Sequence, residues 1–277
     1  LRSIPLYAVL GNHDVGGADL AMQPDGLGAF YFFSSPLNGP TNISSLTKVK
    51  GTEEQVAAFK KAAGTAYPSL CNYSFDNGPV HILALDANSY VDFTSPALRS
   101  WISNDLASSK ATWKIVVVHQ PPFSSSEKHF TEQRVRLLSP LFEQCGVDMV
   151  FGGHVHNYQR TKPLTFEPAS SKTATNGTVE GKFTFDENFD GQTNTAPKGI
   201  IYVVTGGGGA SLYDPGFTDK PEKWRRPDRS WAPYTKKFVS DRHSFTLLEA
   251  HGDALAMRQF DYVGEEIERL QITKPAK

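Results

Sequence analysis

The chain has 277 residues, 39% of them hydrophobic and 12% aromatic, enough for one packed α/β domain spanning 1–277. Its 28 Lys+Arg and 29 Asp+Glu give a formal charge of -1 with no basic stripe. That balance argues against nucleic acid as principal partner and for a small diffusible substrate. No apolar run approaches the ~18 residues of a membrane span, and Leu1–Pro5 does not read as a signal peptide. Cys71 and Cys145 are too few for a disulfide framework, and two buried free thiols are the default reading. Three sequons, at Asn42, Asn72 and Asn176, permit glycosylation in a secreted protein.

In chain order, residues 4–10 form an apolar run ending at Gly11, which predicts a buried strand. Residues 16–51 are rich in Gly, Pro, Ser and Asn and read as an irregular excursion. Thr52 is placed to cap a helix over 53–63 that ends at Gly64. Runs at 72–75 and 80–85 flank Asp76-Asn77-Gly78, a hairpin signal. A helix follows Ser95-Pro96, with Leu98, Trp101, Ile102 and Leu106 on one face. A strand at 114–118, a helix near 131–144 and a strand at 148–152 predict a sheet with parallel pairs. Residues 167–198 read as a polar surface insertion. Further strands are expected at 199–205, 243–250 and 254–260, with a loop over 213–238.

Three short motifs each begin where one of these strands ends, the place where ligand sites collect in such sheets. They are Gly11-Asn12-His13-Asp14, Val116-Val117-Val118-His119 and Gly152-Gly153-His154-Val155-His156. Imidazole nitrogen and amide oxygen suit zinc, iron and manganese, so the set points to a first-row transition metal. Two histidines one residue apart in an extended loop point in different directions and serve two neighbouring ions better than one. Any one motif alone is as readily an ordinary turn or a core histidine; their order and common placement make coincidence improbable.

Gly-Asn-His-Asp, Val-x-x-His and Gly-His-x-His, in that order, resemble three of the five blocks of the calcineurin-like metallophosphoesterases. The continuation His156-Asn157-Tyr158-Gln159-Arg160, and His129 ten residues after His119, resemble the purple acid phosphatases within that superfamily. The resemblance implies an α/β fold, a four-layer α/β/β/α sandwich with mixed sheets. It also implies two divalent or trivalent transition metal ions, iron with zinc, manganese or iron. Asn12, His119 and His154 would bind one ion and His156 the other. His13 would contact the phosphoryl group, and His129 would face the substrate and leaving group. Asp14 is expected to orient His13. The implied reaction is hydrolysis of a small phosphate monoester, in a secreted, periplasmic or lysosome-like setting. A diesterase or nucleotidase of the same superfamily, or a non-catalytic binding remnant, is the alternative.

The family's Asp-x-Gly or Asp-x-His block and its Gly-Asp-x-x-Tyr block would precede Gly11, where only ten residues stand. The chain is therefore expected to lack its first strands, to lack the carboxylate and Tyr ligands of the second site, and to be impaired as a catalyst. Thr205-Gly206-Gly207-Gly208-Gly209-Ala210 has no Gly-Lys-Ser/Thr ending and reads as a close-approach turn. Arg225, Arg226, Arg229 and Lys236, interleaved with Trp224 and Trp231, read as a solvated loop, with an anion-attracting rim the alternative.

Overall fold

The computed structural model describes residues 3–22, 27–41, 49–224 and 234–274. The Gly-Asn-His-Asp motif forms a single helical turn, α1 (Asn12–Val15), and the described residues of the excursion after it hold a 3-10 turn at Gly16–Ala18 and one more helical turn, α2 (Ala29–Phe32). Helix α3 (Glu53–Ala63) starts on a capping box: Gln55 N–H donates to Thr52 Oγ1 at 3.2 Å while Thr52 N–H donates to Gln55 Oε1 at 2.9 Å. Gly64, at φ +53°, ends it. A short turn, α4 (Ala66–Ser69), leads to the hairpin β1 (Tyr73–Asn77) and β2 (Val80–Leu85), which reverses at Gly78.

Helix α5 (Pro96–Ser108) buries Leu98, Ile102 and Leu106 almost completely. Each such side chain contributes about 1.5–3 kcal/mol by leaving water. There follow β3 (Trp113–Val118), α6 (Ser139–Gln144), β4 (Met149–Gly152), β5 (Tyr158–Thr161), β6 (Leu164–Pro168), β7 (Gly181–Phe185) and β8 (Ile201–Thr205). Four more strands complete the chain: β9 (Thr235–Val239), β10 (Ser244–His251), β11 (Ala254–Asp261) and β12 (Glu266–Thr273).

A seven-stranded mixed sheet runs β1-β2-β3-β4-β8-β5-β9, with β2, β3, β4 and β8 parallel and the outer pairings antiparallel. Alternation along its strands divides the core in two. Leu83, Leu85, Val116, Val118 and Val150 pack beneath side chains of α3, α5 and α6. Trp113, Ile115, Met149, Phe151 and Ile201 pack on the other side, against Leu255, Met257, Leu270 and Ile272 of the antiparallel sheet β10-β11-β12. The mixed α/β class is as expected, in helix, sheet and sheet layers. Among the described residues no helix covers the outer face of the small sheet. On the β2 side the two sheets part around a cleft of about 600 Å³ bordered by Val80, Ile82, Val117 and Leu248.

One buried contact fastens the two sheets beside the third motif. Arg160 on β5 donates from Nε and Nη2 to Glu268 of β12 at 3.0 and 2.6 Å, and the Tyr158 hydroxyl reaches the same carboxylate at 2.6 Å. A second buried cation holds the loop after β3: Arg136 Nε donates to the Pro122 carbonyl at 2.7 Å, its guanidinium 4.7 Å from the Phe123 ring.

Several expectations are corrected. Residues 4–10 form no strand; Ile4 is 65% and Leu6 58% exposed, and only Leu10 is buried. An apolar run becomes a strand where a neighbour offers backbone partners, and no described strand does so here. Instead Tyr7 stacks on Phe75 with ring centroids 3.9 Å apart, and the Ala8 carbonyl accepts the Tyr73 hydroxyl at 2.8 Å. The helix near 131–144 begins later, as a 3-10 segment over Arg134–Leu138 that passes into α6 next to Pro140. β9 interrupts the expected loop over 213–238, while the β6–β7 hairpin runs into the polar segment 167–198 without bearing on its reading as an insertion. Asn72 is buried, and its Oδ1 accepts the Asp86 N–H at 3.0 Å, so this sequon is closed to glycosylation in the folded chain. Asn176 is exposed, and Asn42 lies outside the described residues. Cys71 and Cys145 form no disulfide; Cys71 is buried as expected, whereas Cys145 is only half-buried.

Candidate metal centre

Strands β3 and β4 are parallel neighbours, so the residues after them emerge side by side. The Gly153 N–H donates to the His119 carbonyl at 2.9 Å, tying the two strand ends together. Two glycines make the approach possible. A Cβ on Gly11 would stand 2.9 Å from the His119 ring, and one on Gly152 would stand 2.6 Å from Pro121. The Leu10 carbonyl accepts from Asn88 Nδ2 at 3.3 Å, fastening the loop before Asn12 to the chain just beyond β2.

Asn12, His119 and His154 consequently converge. Asn12 Oδ1 lies 2.8 Å from His119 Nε2 and 3.2 Å from His154 Nδ1, and the two nitrogens are 3.2 Å apart. Donors bound tetrahedrally at metal–ligand lengths of about 2.0–2.2 Å stand roughly 3.3–3.6 Å from one another. One amide oxygen and two imidazole nitrogens at this spacing fit a transition-metal ion with a shift of a few tenths of an ångström. Burial, with the His154 and His13 rings nearby, lowers the His119 pKa to about 4. Its ring is thus neutral across ordinary pH, the form that offers a lone pair.

The other residues singled out in the sequence lie around this trio. His13 is exposed on the first turn of α1. Asp14 does not orient it: its Oδ2 turns back to accept the Gly11 N–H at 2.8 Å and closes the turn, as a carboxylate beside free helix N–H groups tends to do. His156 makes none of the trio's close contacts. Its Nδ1 is 2.9 Å from the Ser211 carbonyl, and its ring stacks on Tyr213 at 4.1 Å. His129 is close by, its ring centroid 4.1 Å from that of His154.

Two residues at the site carried no motif. Glu132 bridges the histidines, with Oε1 2.6 Å from His129 Nδ1 and Oε2 3.1 Å from His154 Nε2. Contact with His154, then with His129, outweighs burial and holds this carboxyl down to about 2. Its only sequence signal was the three-residue step from His129 within a turn. Tyr213, besides stacking on His156, carries the Lys128 ammonium 4.0 Å from its ring centroid. The glycine-rich segment is a close-approach turn, since a Cβ on Gly206 would meet the Val155 carbonyl at 2.2 Å. Of the basic rim, Arg225, Arg226, Arg229 and Trp231 lie outside the described residues. Lys236 is exposed on β9, and Trp224 is buried against Phe238.

Residues 1–158 match the family described as calcineurin-like phosphoesterase. Purple acid phosphatase 23 of Arabidopsis thaliana is 30% identical over 158 residues, covering 54% of this chain and 28% of that protein. Acid phosphatase type 7 of Mus musculus is 27% identical over 176 residues, covering 55% of this chain and 36% of that protein. Among solved structures, a purple acid phosphatase from yellow lupin seeds aligns with 75% of this chain and 33% of its own, at 21% identity and a TM-score of 0.49. The chain thus spans about a third or less of the length of the first curated relatives it matches. With the family match covering more than half of the chain, this protein belongs to the calcineurin-like phosphoesterase family.

Proposed function

We propose that this protein hydrolyses small phosphate monoesters at a binuclear metal centre, one position of which is formed by Asn12, His119 and His154. The observation that carries this reading is the meeting of Asn12 Oδ1, His119 Nε2 and His154 Nδ1 within 3.2 Å of one another, from a helical turn and two strand ends. The names of the relatives, purple acid phosphatases among them, support the monoester. Asn12, His119 and His154 would hold one ion and His156 would contribute to the other. Bound metal of this kind lowers the pKa of water and neutralises charge on phosphoryl oxygens.

The chain's own residues have definite tasks in this proposal. His119, kept neutral by burial, offers its lone pair without first releasing a proton. Asn12 presents an oxygen that needs no deprotonation. His13, exposed at the mouth, is free to donate to a phosphoryl oxygen. His129 has Nδ1 engaged by Glu132, so Nε2 is the atom left to give a proton to a leaving alkoxide. Among the described residues Glu132 is the one carboxylate that clusters with histidines at metal-ligand spacing. Secretion belongs to the same proposal; among the described residues, no helix is long and apolar enough to cross a membrane.

The test compares p-nitrophenyl phosphate with bis-p-nitrophenyl phosphate on the metal-loaded protein. Faster turnover of the monoester is expected, and His119→Ala should lower its kcat/KM by about 100-fold or more. Preference for the diester would move the reading to the alternative within the family. Turnover indifferent to both His119→Ala and chelator would overturn it.

A further inference from the structure

On the side of His154 away from Asn12, the ring meets a different set of groups. Its Nε2 is buried without an aligned hydrogen-bond partner, although Glu132 Oε2 lies 3.1 Å away. The residue is only 9% exposed, so water does not relieve that atom. The other oxygen of the same carboxylate is 2.6 Å from His129 Nδ1. The ligand atoms of His129, Glu132 and His154 all fall within 4.8 Å of one another. Both histidines hold a left-handed backbone, at φ +63° and +61°, a strained state for a residue with a Cβ. Such strain persists where the surrounding structure enforces it, and it collects at functional sites.

The tautomers sharpen the point. Asn12 Oδ1 can only accept hydrogen bonds, and it faces His154 Nδ1 at 3.2 Å. A neutral His154 that donates from Nδ1 to Asn12 turns the Nε2 lone pair toward a carboxylate at 3.1 Å. Two acceptors so placed repel unless a cation lies between them. A proton is one such cation and a metal ion is the other. Two imidazoles and one carboxylate form a donor set well suited to zinc and cobalt.

We propose that His129 Nδ1, Glu132 and His154 Nε2 form a single-ion transition-metal site distinct from the Asn12–His119–His154 seat. All three ligands come from residues 129–154, so this site needs none of the motifs expected before Gly11. Because each seat uses a different nitrogen of His154, one neutral imidazole serves one seat at a time. An ion held on Nε2 leaves Nδ1–H to donate to Asn12. The inference goes beyond the phosphoesterase reading and does not rest on it, since its test reads metal rather than turnover.

The experiment titrates Zn2+ into the metal-stripped 277-residue chain by calorimetry, with Co2+ absorption in parallel, for wild type, Glu132→Gln, His129→Ala and Asn12→Ala. Wild type should bind one equivalent. Glu132→Gln and His129→Ala should each weaken binding by about 100-fold or more, because each removes a direct ligand, and even outer partners are worth 10–100-fold. Asn12→Ala should weaken binding by about 10-fold, less than either ligand variant, because it removes only the acceptor of His154 Nδ1–H. Circular dichroism establishes that each variant is folded before titration, and having two independent ligand variants guards against the loss of either. Wild-type affinity in both Glu132→Gln and His129→Ala would overturn the inference. So would no binding by wild type, or binding abolished by Asn12→Ala alone; the contact would then be a protonated histidine beside a carboxylate. Failure of the phosphatase assay with zinc binding lost only at Glu132 and His129 would leave this inference standing.

Discussion

Replacing Arg160 by Met should be among the most damaging single changes away from the metal centre. Its guanidinium meets Glu268 through two hydrogen bonds, at 3.0 and 2.6 Å, and the two side chains are only 8% and 13% exposed. Burial alone would push the Glu268 carboxyl up, but Arg160, with the Tyr158 hydroxyl, outweighs it and leaves that pKa below its usual value. Arg160→Met keeps most of the apolar stem and strands the carboxylate with one hydroxyl. Removing one partner of a buried pair costs about 3–5 kcal/mol, against a total stability of about 5–15 kcal/mol. At roughly 2–4 °C per kcal/mol for a domain of this size, the melting temperature should fall by about 6–20 °C. Thermal unfolding by circular dichroism at pH 7 reads this directly. The double variant Arg160→Met/Glu268→Leu should recover much of the loss, because apolar replacement of both partners is often close to neutral. A single variant that melts within about 2 °C of wild type would refute the claim that this pair fastens the sheets.

Two further outcomes are expected. His81 on β2 has Nδ1 2.6 Å from Asp76 and Nε2 2.8 Å from Asp105, with Lys114 its register partner on β3. Burial lowers its pKa, but the two carboxylates outweigh burial and leave it raised. A raised folded pKa gives stability that is complete below about pH 6.5 and is lost as pH rises through the folded value. Urea midpoints should therefore fall between pH 6 and pH 9 by more in wild type than in His81→Gln; equal falls would remove His81 as the cause. Gly206→Ala places a Cβ 2.2 Å from the Val155 carbonyl. Backbone must move on one side or the other, so a loss of about 1–3 kcal/mol is expected by chemical denaturation, and an unchanged midpoint would show the turn to be pliable.

The parts of the fold that could be read in advance were those with an unambiguous apolar signal. Val116, Val118 and Met149 lie in short β-branched or apolar runs between turns, and α5 announces itself through Pro96 and the spacing of Leu98, Ile102 and Leu106. Residues 4–10 carry the same signal and still form no strand, because pairing depends on a neighbour that local sequence does not report. Strand β5 escaped for the opposite reason: Tyr158, Gln159, Arg160 and Thr161 are all buried, yet three of the four are polar and are satisfied by distant partners such as Glu268. At the site, His119 and His154 were legible because each follows a strand, and Asn12 because it sits in a short motif after an apolar run, although that run is no strand. Glu132 and Tyr213 were not, since each matters through a neighbour brought there by the fold. Asp14 sat in a motif that invited a catalytic role, while the geometry uses it to close a helical turn.

The left-handed backbone at His129 and His154 also bears on how this protein would change under mutation. For a residue with a Cβ that conformation costs about 1–2 kcal/mol, a burden that glycine largely escapes and asparagine carries more easily. Replacing the His129 imidazole by glycine or asparagine should therefore return part of that strain as stability, while at the buried His154 the same relief is set against the packing lost with the ring.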